Sequence, residues 1–266
     1  MAAAGRRLDQ WLVAHGYAAT RSRAQWLIQT GRVWLCGRPC HKPSHVVTDA
    51  LPVEVRGDDM PYVSRGGLKL EHALRVFGLD VTGLVALDIG ASTGGFTDCM
   101  LQHGARRVYA LDVGTGQLAS GLRTDPRVIP LEGRNIRAFQ AVELPETVEL
   151  ITVDVAFISL VHVLPLLPPF LGARGCVVTL VKPQFEVGAE HVGRGGIVRD
   201  PNRRAVALHR IMTTAEAVGF QVLQAVDAPC LHAHGNQEVF IELGWVAEGE
   251  MLAAARPPSP AHHVLT

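Results

Sequence analysis

The chain has 266 residues, enough for one large domain or for a small domain joined to a medium one. Hydrophobic residues make up 48% and charged residues 19%, a composition that suits packed cores and argues against disorder. Lys plus Arg and Asp plus Glu balance at 25 each, which excludes a wholly basic nucleic-acid wrapper but leaves room for a locally basic module.

The balance conceals an asymmetry. Residues 1–48 contain Arg6, Arg7, Arg21, Arg23, Arg32, Arg38 and Lys42 against one acid, Asp9. This predicts a polyanion-binding end fused to a more neutral body. Arg7–His15 reads as a helix with Leu8, Trp11 and Leu12 on one face. Thr20 or Ser22 can cap a second helix that buries Ala24, Leu27 and Ile28, and Gly31 reads as its stop. Short strands follow at Val33–Leu35 and in the run ending Leu51–Val55, with a turn at Gly37-Arg38-Pro39. Gly57-Asp-Asp-Met-Pro61 is a linker by composition, so a basic unit is expected over 1–60, with the connection at about 57–63. The Cys36, Cys40, His41 and His45 spacing fits no strong zinc template, and no metal is expected.

Beyond the linker, Ser64 can cap a helix whose buried stripe is Leu70, Ala73, Leu74 and Phe77. Lys69 falls off that stripe, and periodicity alone reads it as a solvated lysine. Strand candidates are Leu84–Ile89, Arg107–Val113, Leu150–Val155, Cys176–Val181, Gln221–Val226 and Val239–Leu243, with helical stretches between most of them. Near-continuous apolar strands alternating with helices predict an α/β fold over 64–247, its mostly parallel sheet covered on both faces. The long uncharged run from Val155 to Ala173 contains His162 and Pro165, Pro168 and Pro169. It reads as strand end, loop and buried helix rather than a membrane span. Residues 248–266 read as a flexible tail. Five scattered cysteines make no disulfide framework, and MAAAGRRLDQWL lacks a signal-peptide core, so a cytoplasmic protein is expected.

Two features carry chemistry. The first is the strand-to-helix turn at 85–101, with Gly90, Gly94 and Gly95 where doubly wound folds bind ligands. Phe96 stands where a phosphate-binding P-loop needs lysine, and the glycine spacing fits a dinucleotide fingerprint poorly. A looser pattern, that of S-adenosylmethionine sites, fits better. Asp112 ends the next strand, 22 residues after Gly90, where a carboxylate can accept from ribose hydroxyls. The bland alternative is an ordinary turn with structural glycines. The second feature is charge at the ends of very apolar strands: Asp154, Lys182 and Glu238. One half-desolvated lysine would be read as a rim salt bridge. Three such residues at the edge that carries the glycine loop point to a site. His232 and His234, in a turn-rich loop, read as solvated or as substrate contacts.

The motifs RLD (7–9), TRSRA (20–24), IQTGRV (28–33), YVSRGGLKL (62–70), DIGASTGGFTDCML (88–101), ALDVGTGQL (110–118), DVAFISL (154–160), LVKPQFEVG (180–188), GGIVRD (195–200) and GNQEV (235–239) together resemble the TlyA, or haemolysin A, family. In that family an S4 RNA-binding domain is joined to an FtsJ-like ribosomal RNA methyltransferase. The resemblance implies a Rossmann-like sheet preceded by a small α+β S4 domain, S-adenosyl-L-methionine as cofactor, and 2′-O-methylation of ribose in ribosomal RNA within the subunits. The modified residue would be a cytidine, in small-subunit RNA, large-subunit RNA or both. The family's Lys-Asp-Lys-Glu tetrad falls on Lys69, Asp154, Lys182 and Glu238. Cofactor contacts would be Asp88, Gly90, Ala91, Ser92, Gly94, Gly95, Phe96, Asp112, Val113, Asn135 and Asp154. RNA contacts would be Arg6, Arg7, Arg21, Arg23, Arg32, Lys42 and Arg65. There are departures: Ala156 stands where Ser is usual, Glu132–Arg137 is a variant segment, and the 228–235 loop is rich in histidine. Two rival classes are a non-catalytic RNA-binding or ribosome assembly factor, and a haemolysin-like protein, which would need a membrane-inserting segment.

Overall fold

The computed structural model describes residues 5–18, 20–56, 60–231 and 235–247. The centre of the expected linker, His232 and His234, the expected tail and the side chain of Ser22 lie outside the described residues.

The N-terminal module contains β1 (Arg6–Arg7), α1 (Leu8–Ala14), α2 (Arg21–Gln29), β2 (Val33–Leu35), β3 (Arg38–Pro39), β4 (Val46–Val47) and β5 (Val53–Val55). Leu8, Leu12, Ala24, Leu27, Ile28 and Val33 are sealed in its core, as their helical spacing demands. The Thr20 hydroxyl caps α2 by accepting from the Arg23 N–H at 3.2 Å, and Gly31, at φ +72°, turns the chain away. The hairpin turns one residue earlier than expected, at Cys36 and Gly37. Arg38 and Pro39 themselves pair with Leu35 and Trp34, since an edge strand tolerates proline.

The larger body contains α3 (Arg65–Phe77), β6 (Val85–Ile89), α4 (Gly95–Gln102), β7 (Arg107–Asp112), α5 (Ser120–Arg123), β8 (Val128–Glu132), β9 (Val148–Val153), β10 (Leu171–Val181), α6 (Pro201–Val218), β11 (Gln221–Asp227) and β12 (Val239–Val246). Its sheet order is β11-β12-β10-β9-β6-β7-β8, and only β12 runs against its neighbours. β8 was not expected: its central Pro130 and exposed residues hide it, and both are tolerated because it is an edge strand. The 160–170 stretch forms three single 3-10 turns instead of a helix, because its prolines remove the donors an α-helix needs. Among the described residues no helix is long and apolar enough to cross a membrane.

Alternate residues of the strands feed two cores. Leu87, Ile89, Val153 and Val177 pack against Ile211 and Ala215 of α6, while Ala86, Leu150, Val178 and Leu180 pack against Leu70 and Leu74 of α3. Leu68 touches the core of the body and that of the N-terminal module, so the module rests on the first turns of α3. The ends of β6, β7, β9 and β10 and the start of β12 then share one edge of the sheet. At a point where the strand order reverses, between β6 and β9, that edge opens into a crevice.

Candidate active site

The crevice is lined first by backbone. Gly90 sits at φ +87°, and a Cβ there would lie 2.4 Å from the Asp154 carbonyl oxygen. Only glycine lets β6 and β9 end so close together. The Gly90 and Ala91 N–H groups both donate to the Leu111 carbonyl, at 2.8 and 3.1 Å, which locks the loop to β7. The Asp112 carboxylate holds the loop from outside: it accepts from the Ser92 N–H at 2.8 Å and the Gly114 N–H at 2.7 Å, one on each oxygen. A Cβ on Gly95 would strike the Ser64 hydroxyl at 2.1 Å, so the starts of α3 and α4 abut. That contact carries Lys69, one turn into α3, over the crevice.

A cleft of about 440 Å³ results. Gly90, Ala91, Ser92, Gly95, Phe96 and Asp154 line it from the body, Ser64, Arg65 and Lys69 from α3, and Thr20 and Arg23 from the N-terminal module. Burial draws the Arg65 guanidinium down from its ordinary value, and the nearby Glu238 carboxylate works against that.

The four ionic residues stand at this edge as two pairs. Val181 lies opposite Val239 in the β10–β12 register, so Lys182 and Glu238, one step further on, are neighbours. Lys182 Nζ lies 2.5 Å from Asp154 Oδ1, a close ion pair whose angles are not those of a hydrogen bond. Lys69 donates to Glu238 Oε2. All four side chains are mostly buried, at 15–24% exposure. Lys69 is therefore not the solvated lysine that its helical position suggested. It reaches across the sheet edge to a carboxylate 169 residues away in the chain.

Several other expected contacts sit elsewhere. Asp88 is fully buried beneath the loop, where its oxygens accept from the hydroxyls of Thr97 (2.7 Å) and Thr152 (2.8 Å). Burial pushes its carboxyl up to about 6, against those two hydrogen bonds. The expectation of a direct cofactor contact at Asp88 is thus corrected: it supports the loop from below. Gly94 caps α4 and Val113 is exposed, and neither lines the cleft. Asn135 accepts from the Arg137 N–H at 3.0 Å in a turn of its own.

Two residues at the edge escaped the sequence reading. Phe157 is 92% exposed on a left-handed backbone, φ +63°, three residues after Asp154, and its ring centre is 5.2 Å from that of Phe185. Backbone strain in a bulky residue clusters at functional sites. Phe157 lies near the start of the uncharged run from Val155 to Ala173, where nothing local marks it out. Glu186, 4% exposed, accepts from the Ser159 hydroxyl at 2.6 Å and the Leu160 N–H at 2.9 Å, tying the loop after β9 to the loop after β10. Nothing in its local sequence distinguishes it from a surface acid.

The basic module divides its cations. Asp9, fully buried, accepts from Arg7 Nε and Nη2, both at 3.0 Å, Arg21 Nε (2.9 Å) and Gln25 Nε2 (3.0 Å). Burial works to raise its carboxyl, but these donors outweigh it and hold it well below the usual range. Arg7 and Arg21, expected on RNA, thus also hold Asp9, with side chains that stay 40% and 55% exposed. The guanidiniums of Arg23 and Arg32 each lie 4.7 Å from the Trp26 ring centre, while Arg6 and Lys42 are exposed.

Comparison with known proteins follows the same division. The family model for FtsJ-like methyltransferases matches residues 62–245, and that for the S4 domain matches residues 6–50. The chain is 43% identical over 245 residues to YqxC of Bacillus subtilis, provisionally named an rRNA methyltransferase, covering 92% of this chain and 87% of that one. It is 42% identical over 238 residues to the 16S/23S rRNA (cytidine-2′-O)-methyltransferase TlyA of Mycobacterium tuberculosis, covering 89% of each. A solved Streptococcus thermophilus structure with a provisional hemolysin name superposes with a TM-score of 0.73 at 41% identity, covering 91% of this chain and 89% of that one.

Proposed function

The chain belongs to the FtsJ-like methyltransferase family, and on that premise we propose that it transfers a methyl group from S-adenosylmethionine to a ribose 2′-hydroxyl of ribosomal RNA. Cytidine, the nucleoside in the Mycobacterium relative's name, is the proposed target. Residues 1–60 are the RNA-binding unit and 64–247 the catalytic unit. One observation carries the reading: two lysine–carboxylate pairs meet beside a glycine-lined cleft at a single sheet edge.

The residues fit the cofactor. The cleft volume lies within the range of small-molecule sites, about 300–1,000 Å³. Each Asp112 oxygen accepts one amide and keeps a lone pair for a ribose hydroxyl. The backbone of 90–96 is open to close approach. The chemistry supplied by S-adenosylmethionine, when bound, is a methyl carbon activated by an adjoining sulfonium charge.

What remains for the protein is to align a 2′-oxygen and stabilise the negative charge that grows on it as its proton passes to solvent water at the open cleft. Alignment alone is worth several kcal/mol, up to about 7–11 in the best intramolecular cases. Lys182, fixed by Asp154, supplies positive charge for the oxygen in a half-dry site where such charge acts strongly. Lys69, fixed by Glu238, adds a second cation at the cleft wall. Phe157 offers an exposed aromatic face on which a base can stack. Arg6, Arg23, Arg32 and Lys42 meet phosphates, which position the RNA without reading its sequence.

The test is transfer of labelled methyl groups from S-adenosylmethionine to isolated small and large ribosomal subunits, with the modified nucleotides mapped. Label on a ribose 2′-oxygen is expected; label on a base, or none on either RNA, overturns the reading. In the same assay Phe157→Ala raises KM for subunits about tenfold, the value of one lost stacking contact, with cofactor affinity unchanged. An unchanged KM removes Phe157 from the scheme.

A further inference from the structure

We propose that the 193–199 hairpin and the start of α6 form a second RNA-binding surface, which grips phosphates on the opposite face of the sheet from the N-terminal module. The inference rests on the reading of the substrate as RNA. The hairpin is closed by its own backbone: the Gly193 N–H donates to the Ile197 carbonyl and the Gly196 N–H to the Gly193 carbonyl, both at 3.0 Å. It is also fastened to the catalytic edge. Asn236, two residues before Glu238, donates to the Gly196 carbonyl at 2.7 Å and accepts from the Val198 N–H at 2.8 Å. Val198 is buried against Val187, in the loop that follows Lys182, and against Ala207 of α6. The hairpin therefore has a fixed position relative to both strand ends that carry Lys182 and Glu238.

This mount presents arginines that the fold itself does not use. Arg194 and Arg199 are exposed and form no ion pair among the described residues. Arg203 has only a 4.0 Å contact with Asp200, whose carboxylate also caps α6 by accepting from the Asn202 N–H at 2.9 Å. Arg204 adds a fourth cation, and the acids of the segment 190–204 are Glu190 and Asp200. Arg7 and Arg21, in contrast, are held by Asp9. Guanidiniums on a rigid support without protein partners are suited to phosphate oxygens, which they bind in a planar fork.

The placement sets the partner's path. The N-terminal module lies on the α3 face, where Arg23 lines the cleft; the hairpin packs with α6 on the other face. Asp154, Lys182 and Glu238 lie on the edge between them. An RNA strand crossing that edge meets cations on both sides of the ribose being modified.

The experiment measures binding of the full chain to isolated ribosomal subunits and to naked ribosomal RNA over a salt series, alongside methyl transfer. Arg194→Gln with Arg199→Gln is expected to weaken binding about tenfold or more and to lower the slope of log affinity against log salt by about two. KM for RNA rises while kcat and S-adenosylmethionine affinity stay unchanged. The control, Arg75→Gln with Arg106→Gln, removes two exposed charges from the opposite edge and changes none of these. An unchanged salt slope overturns the proposal. Weaker binding to whole subunits with unchanged binding to naked RNA also overturns it, in favour of an acidic ribosomal-protein partner. If the arginine-dependent slope is found but no methyl group is transferred, the surface stands and the catalytic reading falls.

Discussion

Asp9 in the N-terminal module and Asp88 in the catalytic body are both sealed from solvent, yet they are held in opposite ways. Asp9 is surrounded by two guanidiniums and an amide, so its charged form is stabilised. Asp88 is held by neutral donors of Thr97 and Thr152 and stands near the Asp154 charge, so burial dominates and favours its protonated form. The module uses cations to build its own fold. Among the described residues Asp88 has no cation beside it, whereas the body's buried Glu186 has Arg210 Nη2 at 3.4 Å; the lysines of the body stand at the sheet edge, each on one carboxylate. Counting basic residues thus does not show which cations of the module also hold its fold, and it misses the lysine–carboxylate edge of the body.

The sharpest way to break this contrast is to remove one edge lysine. Under the proposed mechanism Lys182→Ala takes away positive charge where the oxygen's charge develops, and loss of one such group costs roughly 10²–10³-fold in turnover. Labelled methyl transfer should fall by that factor, with S-adenosylmethionine affinity by calorimetry within about twofold of the parent. If turnover survives, the pair is an ordinary rim salt bridge and the edge is no different from the module.

Asp88 gives the next largest effect. Its folded value of about 6 lies above the roughly 3.9 of an unfolded chain. The folded state therefore binds the proton more readily. The stability contributed is complete below about pH 3.9 and is lost as pH rises through 6, a difference of about 3 kcal/mol. Asp88→Asn keeps the shape, and the two hydroxyls can turn to suit an amide. Thermal melts from pH 4 to 8 should show the variant gaining on the parent as pH rises. A flat difference would mean that Asp88 stays charged, like Asp9, and the contrast would vanish.

Much of the fold was legible because it is periodic. The apolar spacing of Leu8, Trp11 and Leu12, and of Leu70, Ala73, Leu74 and Phe77, depends on helix geometry alone and is borne out by burial. β8 was hidden because an edge strand need be neither apolar nor free of proline. The site was legible only in part, for a different reason. Asp154, Lys182 and Glu238 announce themselves as charges ending apolar strands. Lys69 has no such local mark: its partner is fixed by the β10–β12 register and by the abutting starts of α3 and α4, which are long-range facts. Resemblance to a family supplied Lys69 where periodicity could not, but it also brought in Asp88, whose position under the loop only the packing reveals.

The smallest effect separates neighbours in one strand. Arg6 and Arg7 are identical residues in β1, and sequence offers no reason to distinguish them. Arg6 is exposed and forms no ion pair among the described residues, whereas Arg7 makes two hydrogen bonds to the buried Asp9. Arg6→Gln should lower the salt slope of RNA binding by about one and leave Tm unchanged. Arg7→Gln should lower Tm by a few degrees, because Asp9 stays buried with fewer donors, and should change the salt slope less than Arg6→Gln does. Paired melts and salt titrations of the two variants decide the matter. Equal slopes and equal melting temperatures would show that Asp9 does not divide the module's cations between folding and binding. The module would then be a uniform basic face, as its composition first suggested.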